Sequence, residues 1–152
     1  MVEALPDATI HRMRHYRKDR LLQMMQELDI PTLLIYDPVS IRYATDSRNV
    51  QVYALNHECR YLFMAADGTT ELFDWVAGHD AYHGHLDTID AVHVARPVGF
   101  MSDGADNFDT SLREWADQIE SLIRRTSPDD LRVGIDRLSH FQAVELERRG
   151  IR

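Results

Sequence analysis

His79, His83 and His85 stand in an H-x-x-x-H-x-H spacing, with Asp80 and Asp87 close by. If the first four of these residues are helical, His79 and His83 lie one turn apart on one face, a geometry that suits a transition metal. Gly78 and Gly84 interrupt the same stretch and favour a plain surface loop. Imidazoles titrate close to neutrality, so a pH-sensitive interface patch is a third reading. His93 sits in the apolar run Ala91 to Ala95 and reads as a hydrogen-bonded sheet residue. Cys59 is the single cysteine, which excludes an internal disulfide and a multi-cysteine zinc site. It lacks an obvious base partner, so a buried or half-buried thiol is expected rather than a nucleophile. No HExxH, Walker loop, GxSxG or GxGxxG occurs in the chain.

The totals narrow the partners. A formal charge of −8 opposes long-range attraction to nucleic acid or an anionic membrane, so neither is expected as a partner. Arg12, Arg14, Arg17, Lys18 and Arg20 put five of the 17 cationic residues on the first helix. That cluster could dock an acidic partner, but with acidic residues elsewhere to answer it, an intramolecular or solvated flank is the favoured reading. No apolar run approaches the roughly 18 to 20 residues of a membrane helix, and Met1 to Asp7 lacks a signal-peptide core. A reducing cytoplasm is the simplest home for a chain with one cysteine. At 152 residues it is one domain by length.

The elements that must position these groups are written in the periodicity. Ile10, Met13, Tyr16 or Arg17, Leu21, Met24 and Leu28 predict an amphipathic helix over Thr9 to Leu28, capped by Asp7 or Thr9. Asp29-Ile30-Pro31 ends it and leads into the strand Thr32 to Tyr36. Pro38 has no N–H for a ladder and suits a first helical residue, and Asp37 can cap the turn Val39 to Tyr43. Ile41 and Ala44 point inward there. Val50, Val52 and Leu55 form a weak strand, and Tyr61 to Ala65 a central one. Asp67-Gly68 is a hairpin signal, so Thr70 to Trp75 returns antiparallel.

Ala77 to Leu86 is a loop or short helix, Ala91 to Ala95 a strand, and Val98 to Phe108 a long connection. Ser111 to Glu114 is a capping box opening a helix that buries Leu112, Trp115, Ile119 and Leu122 and stops at Ser127-Pro128. Leu131 to Ile135 is a last strand. Ser139 to Gln142 is a second capping box, and its helix ends at Arg148-Arg149-Gly150. The fold class is α/β: a mixed β-sheet of about five or six strands flanked by helices.

A helix ending in Asp29-Ile30-Pro31, a buried strand, then Asp37-Pro38-x-x-Ile41-Arg42-Tyr43-Ala44-Thr45-Asp46, resembles the N-terminal domain of the creatinase, prolidase and aminopeptidase P family. Asp46-Ser47 with Asn49 and Gln51 following is more similar to the branch that includes dimethylsulfoniopropionate lyases. Usual members carry glycine where this chain has Asp46. The resemblance covers nearly the full chain, 1–152, and implies a non-catalytic domain whose partner is its own C-terminal "pita-bread" catalytic domain, absent from this chain. Ile151 after Gly150 reads as the start of the next strand. No cofactor is expected in this domain; a divalent metal is expected in the missing one, so none of its ligands can be carried onto these residues.

The resemblance further implies a homodimer in which the loop after Arg42-Tyr43 reaches the partner subunit's active site. The matching candidates for substrate binding in trans are Asp46, Arg48, Asn49, Gln51 and Tyr53, with Ser47 among them. An arginine near an aromatic ring suits gripping a carboxylate and covering a cationic or apolar group. For the parent enzyme, X-Pro peptidase-like hydrolysis ranks first by family size. Carbon–nitrogen hydrolysis or lyase chemistry on a small zwitterion ranks second, and Asp46 favours it. The rival from another class is a free-standing interaction module.

Overall fold

The structure, a computed structural model, describes residues 7–48, 59–74, 86–99 and 103–152. Helix α1 spans Asp7–Glu27, strand β1 Thr32–Ile35, helix α2 Pro38–Thr45, and strands β2 and β3 Tyr61–Ala65 and Thr70–Asp74. Strand β4 is Ala91–Val94, helix α3 Phe108–Thr126, strand β5 Gly134–Ile135 and helix α4 His140–Arg148. The five strands form one sheet in the order β4-β3-β2-β1-β5. β2 pairs antiparallel with both β1 and β3, whereas β4 and β5 join the two flanks in parallel. The sheet is mixed, as expected. The weak strand expected at Val50 to Leu55 lies outside the described residues, as does most of the loop expected at Ala77 to Leu86.

Both faces of the sheet are covered, which is why β2 is apolar at every position and buried throughout. The side-chain period of two sorts the strands. Leu34, Tyr36, Tyr61, Phe63 and Phe73 face α3, which buries Trp115, Ile119 and Ile123 against them. Ile35, Leu62 and Leu72 face the other way, against Ile41 and Ala44 of α2 and Leu21 of α1. Side chains of this size stabilise by about 1.5–3 kcal/mol each when fully buried. The hairpin turn forms at Asp67-Gly68, where Gly68 takes φ +98° and Asp67 accepts from the Thr69 N–H at 2.8 Å.

Three expectations need correcting. The stripe of α1 does not run through Met24 and Leu28, which are exposed; Met25 is the residue it buries. The inward face instead carries Arg14 and Lys18, whose partners lie on other segments, so hydrophobic spacing alone misplaced it. α3 starts at Phe108, a turn before the capping box expected at Ser111, because burying Phe108 extends the helix toward the core. The last strand is two residues long rather than five; Leu131 and Val133 instead exchange main-chain hydrogen bonds with Arg152. The capping box at Ser139 and Gln142 forms as expected.

Asp37 caps α2 by accepting from the Ser40 N–H at 2.7 Å, with Pro38 in the first turn. That hydrogen bond, before any other influence, holds the Asp37 carboxyl below its ordinary range. A depressed folded-state value contributes stability that is complete above the unfolded pKa of about 3.9 and is lost as pH falls through the folded value. Asp37→Ala is therefore expected to cost about 1 kcal/mol at pH 7. Urea unfolding should show that difference shrinking below about pH 4.

Candidate functional site

The tight joint after α2 positions the candidate residues. α2 ends at Asp46, which takes φ +62° while its N–H bonds the Arg42 carbonyl. This is the left-handed cap position at which glycine costs least, and aspartate is among the few other residues that enter it readily. The glycine-to-aspartate departure thus keeps the backbone turn. It also adds a carboxylate, which Arg14 of α1 holds through Nε and a terminal nitrogen at 2.9 Å. Thr88 Oγ1 donates to the Thr45 carbonyl at 2.8 Å and fixes the same corner from the segment before β4.

Around this corner lies an open groove of about 410 Å³ between α1 and α2. Its walls carry Arg17, Arg42 and Arg48 together with Val39 and Tyr43. Arg17 stacks over the Tyr43 ring at 5.4 Å, and Val39 is 71 % exposed. Three guanidinium groups beside an exposed aromatic and an aliphatic surface can bind a carboxylate and cover an apolar or cationic group.

Of the sequence candidates, the structure brings Asp46 and Arg48 to one groove, with the Asp46 carboxylate engaged by Arg14. Asn49, Gln51 and Tyr53 lie outside the described residues, and so do His79, His83 and His85. The basic cluster of α1 is largely spent within the molecule. Arg14 pairs with Asp46, Lys18 bonds the Thr88 carbonyl and sits 3.8 Å from Asp90, and Arg12 donates to Thr9. His93 is a sheet residue, bonded to Glu71 at 2.8 Å and stacked on Phe73. Cys59 is buried, and that burial pushes its thiol pKa up, away from nucleophilic use.

Sequence reasoning missed Arg60. It lies just before β2 at 2 % exposure, donates from Nε to Asp74 at 2.9 Å, and contacts Ser47 Oγ through a terminal nitrogen. Among the described residues, its other terminal nitrogen is buried without a hydrogen-bond partner. A single arginine ahead of an apolar strand carries no spacing that marks it as buried.

The fold defines the class: it is that of the creatinase/prolidase-like N-terminal domains. An Xaa-Pro aminopeptidase from Streptococcus pyogenes superposes with a TM-score of 0.56 at 16% identity, over 91% of this chain and 88% of that one. The creatinase/prolidase-like N-terminal domain of a protein described as a metallopeptidase, from Corynebacterium diphtheriae, gives 0.51 at 15% identity, over 90% and 87%. No protein-family model matches the chain. By sequence, the chain is similar to the dimethylsulfoniopropionate lyase DddP of Roseovarius nubinhibens, 29% identical over 97% of this chain and 32% of that protein. DddP of Roseobacter denitrificans is 28% identical over 96% and 32%. The chain therefore spans about a third of the length of the curated relatives it matches. Among the described residues, no helix is long and apolar enough to cross a membrane.

Proposed function

We propose that these residues form the non-catalytic N-terminal domain of a lyase-type enzyme built on the creatinase/prolidase plan, acting on a small zwitterion. One observation carries the reading: sequence similarity to two dimethylsulfoniopropionate lyases runs over nearly all of this chain but only a third of theirs. The sequence expectation placed X-Pro hydrolysis first. The two peptidase-like structures described above support it through fold alone, at 16% and 15% identity, so the lyase reading is preferred. In this proposal a C-terminal catalytic domain holds the divalent metal, and two copies pair so that the groove beside Arg48 closes over the partner subunit's pocket.

The chemistry of the groove fits that role. A zwitterion with a carboxylate at one end and a cationic centre at the other matches guanidinium groups set beside Tyr43. In the full-length enzyme, Arg48→Ala is expected to raise KM, or lower kcat/KM, by roughly tenfold, the value of about one charge-assisted hydrogen bond. Its melting temperature should not change, since Arg48 is exposed. Steady-state kinetics on dimethylsulfoniopropionate at two temperatures measures this, and wild-type constants would remove Arg48 from substrate access.

A further inference from the structure

On the flank of α1 away from the arginine groove, His11 and His15 stand four residues apart and so share one helical face. Their ring centroids are 4.4 Å apart. Both Nε2 atoms converge on the same carboxylate oxygen of Asp87, at 2.5 Å from His11 and 2.9 Å from His15. Asp87 comes from the segment that precedes β4, 72 residues beyond His15. The three ligand atoms all lie within 4.8 Å of one another.

We infer that His11, His15 and Asp87 form a surface site for one transition-metal dication of the zinc or nickel class. Two imidazoles and one carboxylate are the donor set such ions take, whereas magnesium and calcium call for oxygen donors throughout. Three protein ligands leave a coordination position open to water, and the partial exposure of all three side chains supplies access to it. Ligands bonded to zinc at about 2.0–2.1 Å in a tetrahedron sit roughly 3.3 Å apart. The present N···O spacings therefore widen by less than about 1 Å as the metal takes the place of the bridging hydrogens. Each neutral imidazole then carries its proton on Nδ1 and offers the Nε2 lone pair. Asp87 is already held in its charged form, chiefly by the hydrogen bond from His15.

The consequence is mechanical as well as chemical. A bound ion would clamp α1 to the segment before β4, the two pieces that Lys18 and Thr88 already join. The Arg17 wall of the groove lies on that same helix.

The test is calorimetric titration of the tag-free 152-residue chain with zinc chloride and nickel chloride, with the cobalt(II) visible spectrum of the same protein. The expected result is one equivalent bound, and loss of affinity by roughly tenfold or more in His15→Ala and in Asp87→Asn. Binding should be unchanged in His140→Ala, which alters an exposed histidine on α4. Nitrogen-15 imidazole spectra should show the His11 and His15 Nε2 resonances moving on zinc addition. Circular dichroism confirms that each variant is folded. No stoichiometric binding, or binding that survives His15→Ala and Asp87→Asn intact, would overturn the site.

Discussion

Arg60→Met is expected to lower stability by about 3–5 kcal/mol, because it breaks a buried ion pair by removing one of its two charges. Arg60 is enclosed where β2 begins, and its guanidinium spans from Asp74, at the end of β3, to Ser47, just past α2. Burial pulls the Arg60 pKa down from the ordinary arginine range, and Asp74 opposes that fall. The pair is thus costly to assemble and more costly to break. For a domain of this size the loss corresponds to a fall in Tm of about 6–20 °C. Urea unfolding followed by circular dichroism gives the free energy directly. Arg60→Met combined with Asp74→Leu should recover most of the loss, since an apolar pair carries no desolvation cost. A single-variant loss below about 1 kcal/mol would mean that the pair behaves as a solvated surface bridge.

Trp115→Ala should cost a similar amount, about 3–5 kcal/mol, for a different reason. Trp115 is fully buried on α3 against the sheet, and its Nε1 donates to the Tyr36 hydroxyl at 2.9 Å. Gln142 of α4 also donates toward that hydroxyl, at 3.5 Å. The Tyr36 hydroxyl, one residue past β1, therefore ties α3 to α4, and truncating Trp115 opens a cavity and removes one of the donors to that hydroxyl. Trp115→Phe keeps most of the volume and should lose distinctly less. Equal losses in the two variants would assign the energy to the hydrogen bond rather than to packing.

The contrast between Trp115 and Arg60 explains what the sequence discloses. Trp115 falls on a helical stripe with Leu112, Ile119 and Leu122, and that period is visible without a structure. The cap at Asp37, the Asp67-Gly68 turn and the Ser139 capping box are legible for the same reason, since each is a contract between residues at most four apart. Arg60, Arg14 and Lys18 are different. Each is a charged residue turned inward because a partner 14 to 72 positions away arrives beside it. No local pattern encodes such a partner, so the spacing predicts a face of α1 through Met24 and Leu28 that the fold leaves in water.

The candidate site divides along the same line. A motif marks Arg48 and Asp46, and the turn at Asp46, with φ +62°, shows why aspartate can stand where glycine is usual. The convergence of His11 and His15 on Asp87 depends on the packing of α1 against the segment before β4. The sequence offered His79, His83 and His85 instead, because those three are neighbours along the chain.

The central proposal assigns these 152 residues a supporting role, with the reaction carried out by chain beyond Arg152. Turnover of dimethylsulfoniopropionate and of an X-Pro dipeptide, measured side by side for the purified 152-residue domain and for the product of its uninterrupted reading frame, tests it most directly. The account predicts no turnover by the folded domain and metal-dependent lyase activity in the longer protein. Turnover of either substrate by the 152-residue domain itself, free of contaminating enzyme, would contradict it.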